Sequence, residues 1–423
     1  MNLEFKLGHR CETVEVEEKN LLGVLQAKPF PEGTDEAELV RNALEHPIGT
    51  PRLGQIVHPG EKIVIVTSDV TRPMPTSRVL PLLLDELYAA GVDRRDIQLI
   101  FALGSHRRQT EEEHRRLAGE RAYSEISCSD FDPDRLTRVG ITSYGTPIDI
   151  DSRVVQADRR ICLGNVEFHY FAGYSGGAKA IMPGVASRAS IQGNHSMMIR
   201  DDAHAGKLEG NPVRAEIEEA CAMVGVDFIL NVVLDEHKRI AMAVAGDVIQ
   251  AHRAGCRYLD EHYLCPLSQL ADIVLVSQGG APKDLNVYQV QKALDNAGLA
   301  VKPGGIIVLI GSCSEGLGEK TFEEWMLGAA APEELIERIQ KDFRLGGHKA
   351  AAIAMVRKKA DIYLVSDLED SFVRRLFMEP FPSVQAAYTA ALRKLGENAS
   401  VLAMPYGGST LPVFRADSSP LRS

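Results

Sequence analysis

Short β-branched runs alternate with longer helical stretches along most of this chain, and that alternation limits its possible folds more than any other feature. Residues 62–67 form an apolar run, and a helical pattern over residues 80–90 follows it and ends at Gly91. Residues 97–103 form the next apolar run. Such alternation is typical of βαβ units, in which helices cover both faces of parallel strands. We therefore predict an α/β fold with mainly parallel sheets.

The length of the chain and a restart of this rhythm predict two domains. A chain of 423 residues exceeds the size of one ordinary domain. Near Cys265 the pattern begins again, with a strand over 272–276 and a helix over 288–297. We predict an N-terminal domain over residues 1–265, with residues 400–423 as a candidate to complete it. A C-terminal α/β domain spans 268–399, and the active site lies in the cleft between the two domains.

Charge and cysteine usage exclude several classes of protein. The chain has 47 Lys and Arg residues against 58 Asp and Glu residues, a net charge of −11, and such an acidic chain repels nucleic acids. Its seven cysteines are scattered without a C-x-x-C pair, as expected for reduced thiols of the cytoplasm. No apolar run is long enough to cross a bilayer. We expect a cytoplasmic protein that binds neither nucleic acid nor membrane.

Polar residues follow two of the predicted strands, where open α/β sheets bind their ligands. Asp69, Thr71 and Arg72 follow the first strand, and His106 follows the second. Arg72 could hold a carboxylate or phosphate while Asp69 orients it. Taken singly, each has a structural alternative: an Asp–Arg pair can stabilise a turn, and a lone histidine is often structural or exposed.

A dense block of glycine and small residues over 164–184 is the most informative segment. Small residues let the backbone approach a bound group closely, and Lys179 in this setting is a candidate nucleophile or phosphate ligand. The spacing from Gly173 to Lys179 is that of a P-loop. However, Ala178 replaces the second glycine and Ala180 replaces the hydroxyl residue that would hold magnesium. A P-loop is therefore excluded.

Two later segments offer further candidates. His195 lies sixteen residues after Lys179, and its imidazole suits zinc, copper, iron or nickel, although one histidine alone does not establish a metal site. Tyr288, Gln289 and Lys292 can share one face of a helix, where they would suit an anionic substrate. The alternatives are a solvated histidine at a helix cap and a solvated helix face.

These segments together resemble the lactate racemase family of nickel-pincer-nucleotide enzymes, which racemise or epimerise 2-hydroxy acids. The resemblance runs in order through SDVTRP, ALGSHR, FHYFAGYSGGAKAIMPGV, GNH, EGNP and NVYQVQK. It implies nickel held by a pyridinium-3,5-bisthiocarboxylic acid mononucleotide that is joined to Lys179 through a thioamide. His195 would be the protein ligand of the metal.

The resemblance also implies roles for the other candidates. His106 and His169 would be the acid/base histidines, one for each face of the substrate. The remaining residues would contact cofactor or substrate: Asp69, Thr71, Arg72, Ser175, Gly176, Gly177, Tyr288, Gln289 and Lys292. Of these, Arg72, Gln289 and Lys292 are counted with the catalytic residues.

The chain departs from the family pattern in two places. Phe168 stands where proline is expected, which leaves His169 in register. His348 and Lys349 open a helix in a region that varies among members. Their positive charge suggests a substrate that carries a second acidic or polar group.

The sequence thus predicts a nickel-dependent racemase or epimerase of 2-hydroxy acids, lactate-like or larger, which works by hydride transfer from C2 through a 2-keto acid. A C2 epimerase of a sugar acid and a non-catalytic homologue that carries the cofactor are the alternatives. A nicotinamide dehydrogenase is disfavoured, because the G-x-G-x-x-G fingerprint is missing. The expected partners are a small 2-hydroxy acid and, transiently, the enzymes that make the cofactor. The oligomeric state is left open.

Overall fold

The computed structural model describes residues 1–414 apart from residues 32, 34 and 236. The chain forms two compact units. The continuous unit comprises Pro29–Glu261, and the split unit comprises Met1–Lys28 together with His262–Ser423. Among the described residues, none of the helices has the length and apolar character that a membrane span requires.

The strands are, in chain order, β1 (Asn2–Leu7), β2 (Arg10–Glu15), β3 (Leu21–Val24), β4 (Ile63–Ser68), β5 (Ile97–Ala102), β6 (Ser127–Asp130), β7 (Leu136–Ile141), β8 (Pro147–Asp151), β9 (Arg159–Val166), β10 (Phe168–His169), β11 (Gly173–Tyr174), β12 (Phe228–Leu234), β13 (Ile240–Gly246), β14 (Leu264–Leu267), β15 (Ala271–Ser277), β16 (Val301–Ile310), β17 (Asp361–Val365), β18 (Glu379–Phe381), β19 (Val401–Met404) and β20 (Leu411–Phe414). The helices are α1 (Glu36–Glu45), α2 (Leu53–Ile56), α3 (Thr76–Ala89), α4 (Glu111–Ala118), α5 (Glu120–Glu125), α6 (Ser152–Gln156), α7 (Arg188–His195), α8 (Pro212–Val224), α9 (Gln250–Tyr263), α10 (Val287–Ala300), α11 (Lys320–Gly328), α12 (Pro332–Lys341), α13 (Gly347–Lys359), α14 (Asp370–Arg375) and α15 (Val384–Leu395).

The continuous unit is built on a six-stranded sheet with the order β13-β12-β9-β4-β5-β6. Its pairs are parallel except for β12 with β13. A connection of only five residues joins those two strands, which is too short for a parallel crossover. Ile63 and Ile65 of β4 pack with Leu83 and Leu87 of α3 in a buried core, so the apolar face of the helix covers the sheet.

The split unit holds a second six-stranded sheet with the order β18-β17-β16-β15-β19-β3, in which all pairs are parallel. Phe5 and Leu7 of β1 are buried in its core beside Ile306 of β16. The predicted α/β class with mainly parallel sheets is therefore confirmed in both units.

The division of the chain differs from the predicted domain boundaries at both ends. Residues 1–28 belong with the C-terminal part of the chain and not with the N-terminal domain. The strand near residue 400 was a candidate to complete the N-terminal domain, but β19 instead lies between β15 and β3 in the split unit. Its partners come from distant parts of the chain, and strand periodicity does not encode partners. Residues 415–423 of that candidate segment lie outside the described residues.

Side-chain caps lie at the starts of two helices, and a third helix begins earlier than predicted. In α8, the Asn211 side chain caps the helix by accepting from the backbone N–H groups of Val213 and Arg214. Pro212 occupies the first turn, where its missing N–H costs nothing. Thr110 and Glu113 form a capping box at the start of α4. Helix α3 begins at Thr76, four residues before the predicted start.

Candidate active site

The carboxyl ends of three neighbouring strands carry the site residues of the continuous unit. Strand β4 lies between β9 and β5 in the sheet. Asp69 follows the last residue of β4, His106 lies in the loop after β5, and the glycine-rich block follows β9. Because these strands are parallel, their ends meet at one edge, so residues far apart in sequence are brought together there.

Asp69, Thr71 and His106 form a hydrogen-bonded group at this edge. Nδ1 of His106 lies 2.6 Å from Oδ2 of Asp69. The hydroxyl of Thr71 donates to Oδ1 of Asp69 at 2.7 Å and lies 3.2 Å from Nδ1 of His106. The carboxylate fixes the proton of the imidazole on Nδ1, and Nε2 is left as the basic nitrogen. This is the arrangement of a general base with an orienting carboxylate.

Charge around Asp69 keeps it ionised. Asp69 is buried, and burial raises the pKa of its carboxyl group. The hydrogen bonds from His106 and Thr71 and the charge of Arg72 lower that pKa further than burial raises it. Arg72 itself is exposed, which leaves its guanidinium available to an anion.

A tight backbone turn presents Lys179. Strands β10 and β11 form a short antiparallel hairpin, and residues 177–180 form one turn of 3₁₀ helix. Gly176 and Gly177 have φ values of +77° and +55°. A Cβ atom at Gly177 would lie 2.8 Å from the ring of His252, so only glycine is accommodated at this position.

The Lys179 amine has the character of a nucleophile. Its pKa lies well below the ordinary value because of burial, with the charges of Arg72 and Arg214 adding to the effect. The side chain stays partly accessible, and Nζ lies 5.9 Å from the centre of the Phe171 ring. A neutral, reachable amine can form a covalent bond, whereas an ammonium ion cannot.

His169 and His195 both contact the ring of Phe171. The ring of Phe171 is 4.6 Å from the His169 ring and 4.9 Å from the His195 ring, measured between centroids. Nδ1 of His195 contacts Oδ1 of Asn194 at 2.9 Å. Because the amide oxygen can only accept, the proton of a neutral His195 sits on Nδ1, and Nε2 carries the lone pair of the ring.

His169 has the opposite tautomer to His106. Burial, with the nearby charges of Lys179 and Arg72, holds the pKa of His169 well below its ordinary value. Its Nδ1 accepts a hydrogen bond from the backbone N–H of Ala172 at 3.3 Å. Neutral His169 therefore presents N–H at Nε2, whereas His106 presents a basic nitrogen.

The remaining predicted residues lie on α10 of the split unit. Asn286 caps this helix, and Gln289 and Lys292 are exposed while Tyr288 is partly buried. Nζ of Lys349 donates to the backbone oxygen of Tyr288 at 2.7 Å and lies 4.0 Å from the centre of its ring. Thus α13 contacts α10, the helix that carries Tyr288, Gln289 and Lys292.

Sequence reasoning missed a second group of residues, which supports the glycine-rich turn. Arg214, Asn231 and His252 are almost fully buried and bind the backbone of residues 171–177, called here the glycine loop. Asn211 of the EGNP motif also binds this loop. A polar residue in an otherwise apolar strand, as Asn231 is in β12, was the available signal.

Comparison with known proteins identifies the family. A sequence model of the lactate racemase N-terminal domain matches residues 7–206, and a model of the lactate racemase C-terminal domain matches residues 267–411. The chain belongs to the lactate racemase family. As a member it is an isomerase, and the resemblance inferred from the sequence motifs is confirmed.

Full-length relatives agree with this assignment. The lactate racemase of Thermoanaerobacterium thermosaccharolyticum is 31% identical over 422 residues, which is 97% of this chain and 99% of that protein. The lactate racemase of Lactiplantibacillus plantarum is 31% identical over 417 residues, covering 96% and 98% respectively.

Two solved structures have a similar fold. The lactate racemase apoprotein from T. thermosaccharolyticum superposes with a TM-score of 0.85 at 31% identity, covering 98% of this chain and 100% of that one. A protein from Thermotoga maritima superposes with a TM-score of 0.60 at 18% identity, covering 91% and 100%, and it shares the fold.

Proposed function

We propose that this lactate racemase homologue racemises or epimerises 2-hydroxy acids, lactate-like or larger, with a nickel-pincer nucleotide joined to Lys179. The single observation that carries the proposal is the Lys179 amine. It is partly accessible, its pKa is strongly lowered, and it lies in a glycine-rich turn beside two histidines. An ordinary surface lysine has neither a strongly lowered pKa nor such surroundings.

The residues present fit the proposed cofactor. Among the described residues, no group of three or more His, Cys, Asp and Glu side chains is placed to hold a metal ion. The proposed nucleotide brings its own carbon and two sulfur donors, so it requires one further ligand, for which we propose Nε2 of His195. The backbone of Gly176 and Gly177 would let it approach closely, and Ser175, Asp69 and Thr71 would contact it.

The bound cofactor would supply an acceptor and donor of hydride for C2 of the substrate. The chain supplies the proton chemistry. His106, oriented by Asp69, is suited to take the hydroxyl proton at Nε2. We propose that His169 is the second acid/base group and serves the opposite enantiomer. To take the hydroxyl proton at Nε2 it must carry its own proton on Nδ1, which requires loss of the hydrogen bond from the Ala172 N–H. Two such groups are needed because a planar 2-keto acid is reduced from either face.

Positive charge would hold the substrate carboxylate. Arg72 and Lys292 are both exposed cations, and guanidinium binds carboxylate bidentately. Gln289 and Tyr288 would add donors beside Lys292. On a chain with a net charge of −11, such local cations are required to attract an anion.

We further propose a cytoplasmic location and transient contact with the enzymes that make the cofactor. Two alternatives remain open: a C2 epimerase of a sugar acid and a non-catalytic homologue that carries the cofactor. The first differs only in the substrate side chain. The second keeps the attachment at Lys179 but lacks turnover.

Intact mass and metal analysis test the proposal on chain produced together with the cofactor-making enzymes. The wild type should carry an adduct on Lys179 with stoichiometric nickel and racemise a 2-hydroxy acid. Lys179→Arg keeps the positive charge but cannot form the thioamide, so it should carry no adduct. Unmodified wild type that racemises lactate without nickel would refute the mechanism. An adduct without turnover of any 2-hydroxy acid would favour the carrier.

A further inference from the structure

Buried side chains hold the glycine loop through its backbone. Arg214 donates from Nε to the oxygen of Ala172 at 3.1 Å and from Nη2 to the oxygen of Tyr174. Nδ2 of Asn211 donates to the oxygen of Phe171 at 2.9 Å. Three carbonyl groups in a run of four residues are thus bound by α8 and its cap, so the loop cannot move independently of that helix.

His252 and Asn231 hold the next two backbone groups. Nε2 of His252 lies 2.8 Å from the oxygen of Ser175, and Oδ1 of Asn231 accepts from the N–H of Gly177 at 2.7 Å. Nη1 of Arg253 donates to Nδ1 of His252 at 3.2 Å. Because a guanidinium can only donate, neutral His252 carries its proton on Nε2. This N–H donates a hydrogen bond to the Ser175 oxygen.

Arg214 also brings an unusual charge close to the loop. Its guanidinium is almost fully buried, and burial lowers its pKa to about 10. Its nearest described carboxylate, Glu218, lies 3.9 Å away and is shared with Arg253, which it contacts at 2.8 Å. A buried cation whose counter-charge is shared and distant destabilises the folded protein. We take this cost as an indication that Arg214 has a function.

We propose that Arg214 and His252 are positioning residues for Lys179, whose side chains fix the glycine loop and so set the reactivity of the Lys179 amine. The attachment of a cofactor at Lys179 is the proposed function on which this inference rests. The rigid backbone places the amine, and the buried guanidinium repels a proton from it.

The groups that act on the Lys179 charge support this assignment. Burial is the largest cause of the lowered pKa of Lys179, followed by the cations of Arg72 and Arg214. One carboxylate opposes them, that of Glu167. The imidazoles of His169 and His252 are also close enough to be affected by the Lys179 charge, and both have lowered pKa values. Arg214 is therefore the buried cation in this set, whereas Arg72 is exposed.

The test measures the rate at which cyanate labels Lys179 as a function of pH. The full-length chain is produced without the cofactor-making enzymes, and labelled Lys179 is quantified by peptide mass mapping. Cyanate adds to a neutral amine to give a urea, so the midpoint of the rate profile reports the pKa of the amine. Arg214→Gln should raise that midpoint by about one pH unit, because it removes one nearby positive charge. Arg214→Lys keeps a basic group at this position, but burial lowers its pKa as well, so it should shift the midpoint by less than Arg214→Gln does.

His252 is tested through its hydrogen bond. His252→Leu removes the donor to the Ser175 oxygen and should raise the midpoint as the loop loosens and Lys179 becomes hydrated. His252→Gln offers an amide donor and should restore the wild-type profile. A purely structural role for either residue would lower the melting temperature without moving the midpoint.

Glu218→Gln is a further test variant, and it changes a residue that is only partly buried. It removes the carboxylate that balances Arg214 and should lower the Lys179 midpoint. An unchanged midpoint in folded Arg214→Gln or in Glu218→Gln would overturn the proposal. Because this labelling needs no nickel, its outcome is independent of whether the loaded enzyme racemises a 2-hydroxy acid, so failure of one proposal is distinguishable from failure of the other.

Discussion

Nδ1 of His106 and Oδ2 of Asp69 lie 2.6 Å apart, although 37 positions separate the two residues in the chain. The contact exists because β4 and β5 are adjacent parallel strands and both residues follow their carboxyl ends. A buried carboxylate of lowered pKa next to an imidazole fixes which nitrogen is basic. The acid/base chemistry of the site therefore depends on sheet topology.

Asp69→Asn should lower kcat for racemisation by about a hundredfold, because an amide can no longer fix the proton of His106 on Nδ1. The measurement is kcat on cofactor-loaded enzyme whose melting temperature and cofactor content match the wild type. Thr71→Val is the matched control: it removes one hydrogen bond to Asp69 and should cost less. A kcat close to wild type for Asp69→Asn would contradict this role.

His195→Gln should lose most of the bound nickel and keep the adduct on Lys179. The reason is that the proposed protein ligand of the metal is the imidazole of His195, whereas attachment depends on the amine. Intact mass gives the adduct and metal analysis gives the nickel. Full nickel content in this variant would show that another side chain binds the metal.

Lys349→Met should change substrate preference. Lys349 contacts Tyr288 at the start of α10, and its charge would favour a substrate with a second acidic group. We expect kcat/KM for malate or 2-hydroxyglutarate to fall by about tenfold more than kcat/KM for lactate, the value of one charge-assisted hydrogen bond. Lys358→Met, on the exposed face of the same helix, is the control. Wild-type turnover of lactate much faster than of the diacids would argue against the second acidic group.

Asp295→Asn should stabilise the protein more at pH 8 than at pH 5. Burial raises the pKa of Asp295 from 3.8 to about 7, so the folded state binds more protons than the unfolded state between those values. The stability of the wild type therefore falls as pH rises through this window. The measurement is the difference in melting temperature between variant and wild type at the two pH values, with Glu397→Gln as an exposed control. Equal differences at both pH values would contradict a raised pKa.

Local structure and the positions of the candidate residues at the strand ends could be predicted, because both depend on short stretches of sequence. The apolar runs predicted β4 and β5, and polar residues after these strands predicted the Asp69 and His106 positions. These features rest on hydrogen bonds and periodicity within a few residues.

Long-range partners could not be predicted in the same way. Strand β19 has an apolar sequence that would suit either sheet, and only the assembled fold shows that it pairs with β15 and β3. Arg214 and His252 lie in two different helices, and residues of these polar types are usually exposed. Both are nevertheless almost fully buried against the glycine loop. Their role depends on contacts between distant elements, which single-sequence patterns do not encode.

The most direct test of hydride transfer uses L-lactate labelled with deuterium at C2. Cofactor-loaded enzyme is incubated with this substrate in ordinary water. The D-lactate formed is separated by chiral chromatography, and its deuterium content is measured by mass spectrometry. The account predicts that D-lactate keeps the deuterium at C2, because the hydride removed from carbon is returned to it. D-lactate that carries hydrogen from water at C2 would indicate proton abstraction and contradict the account.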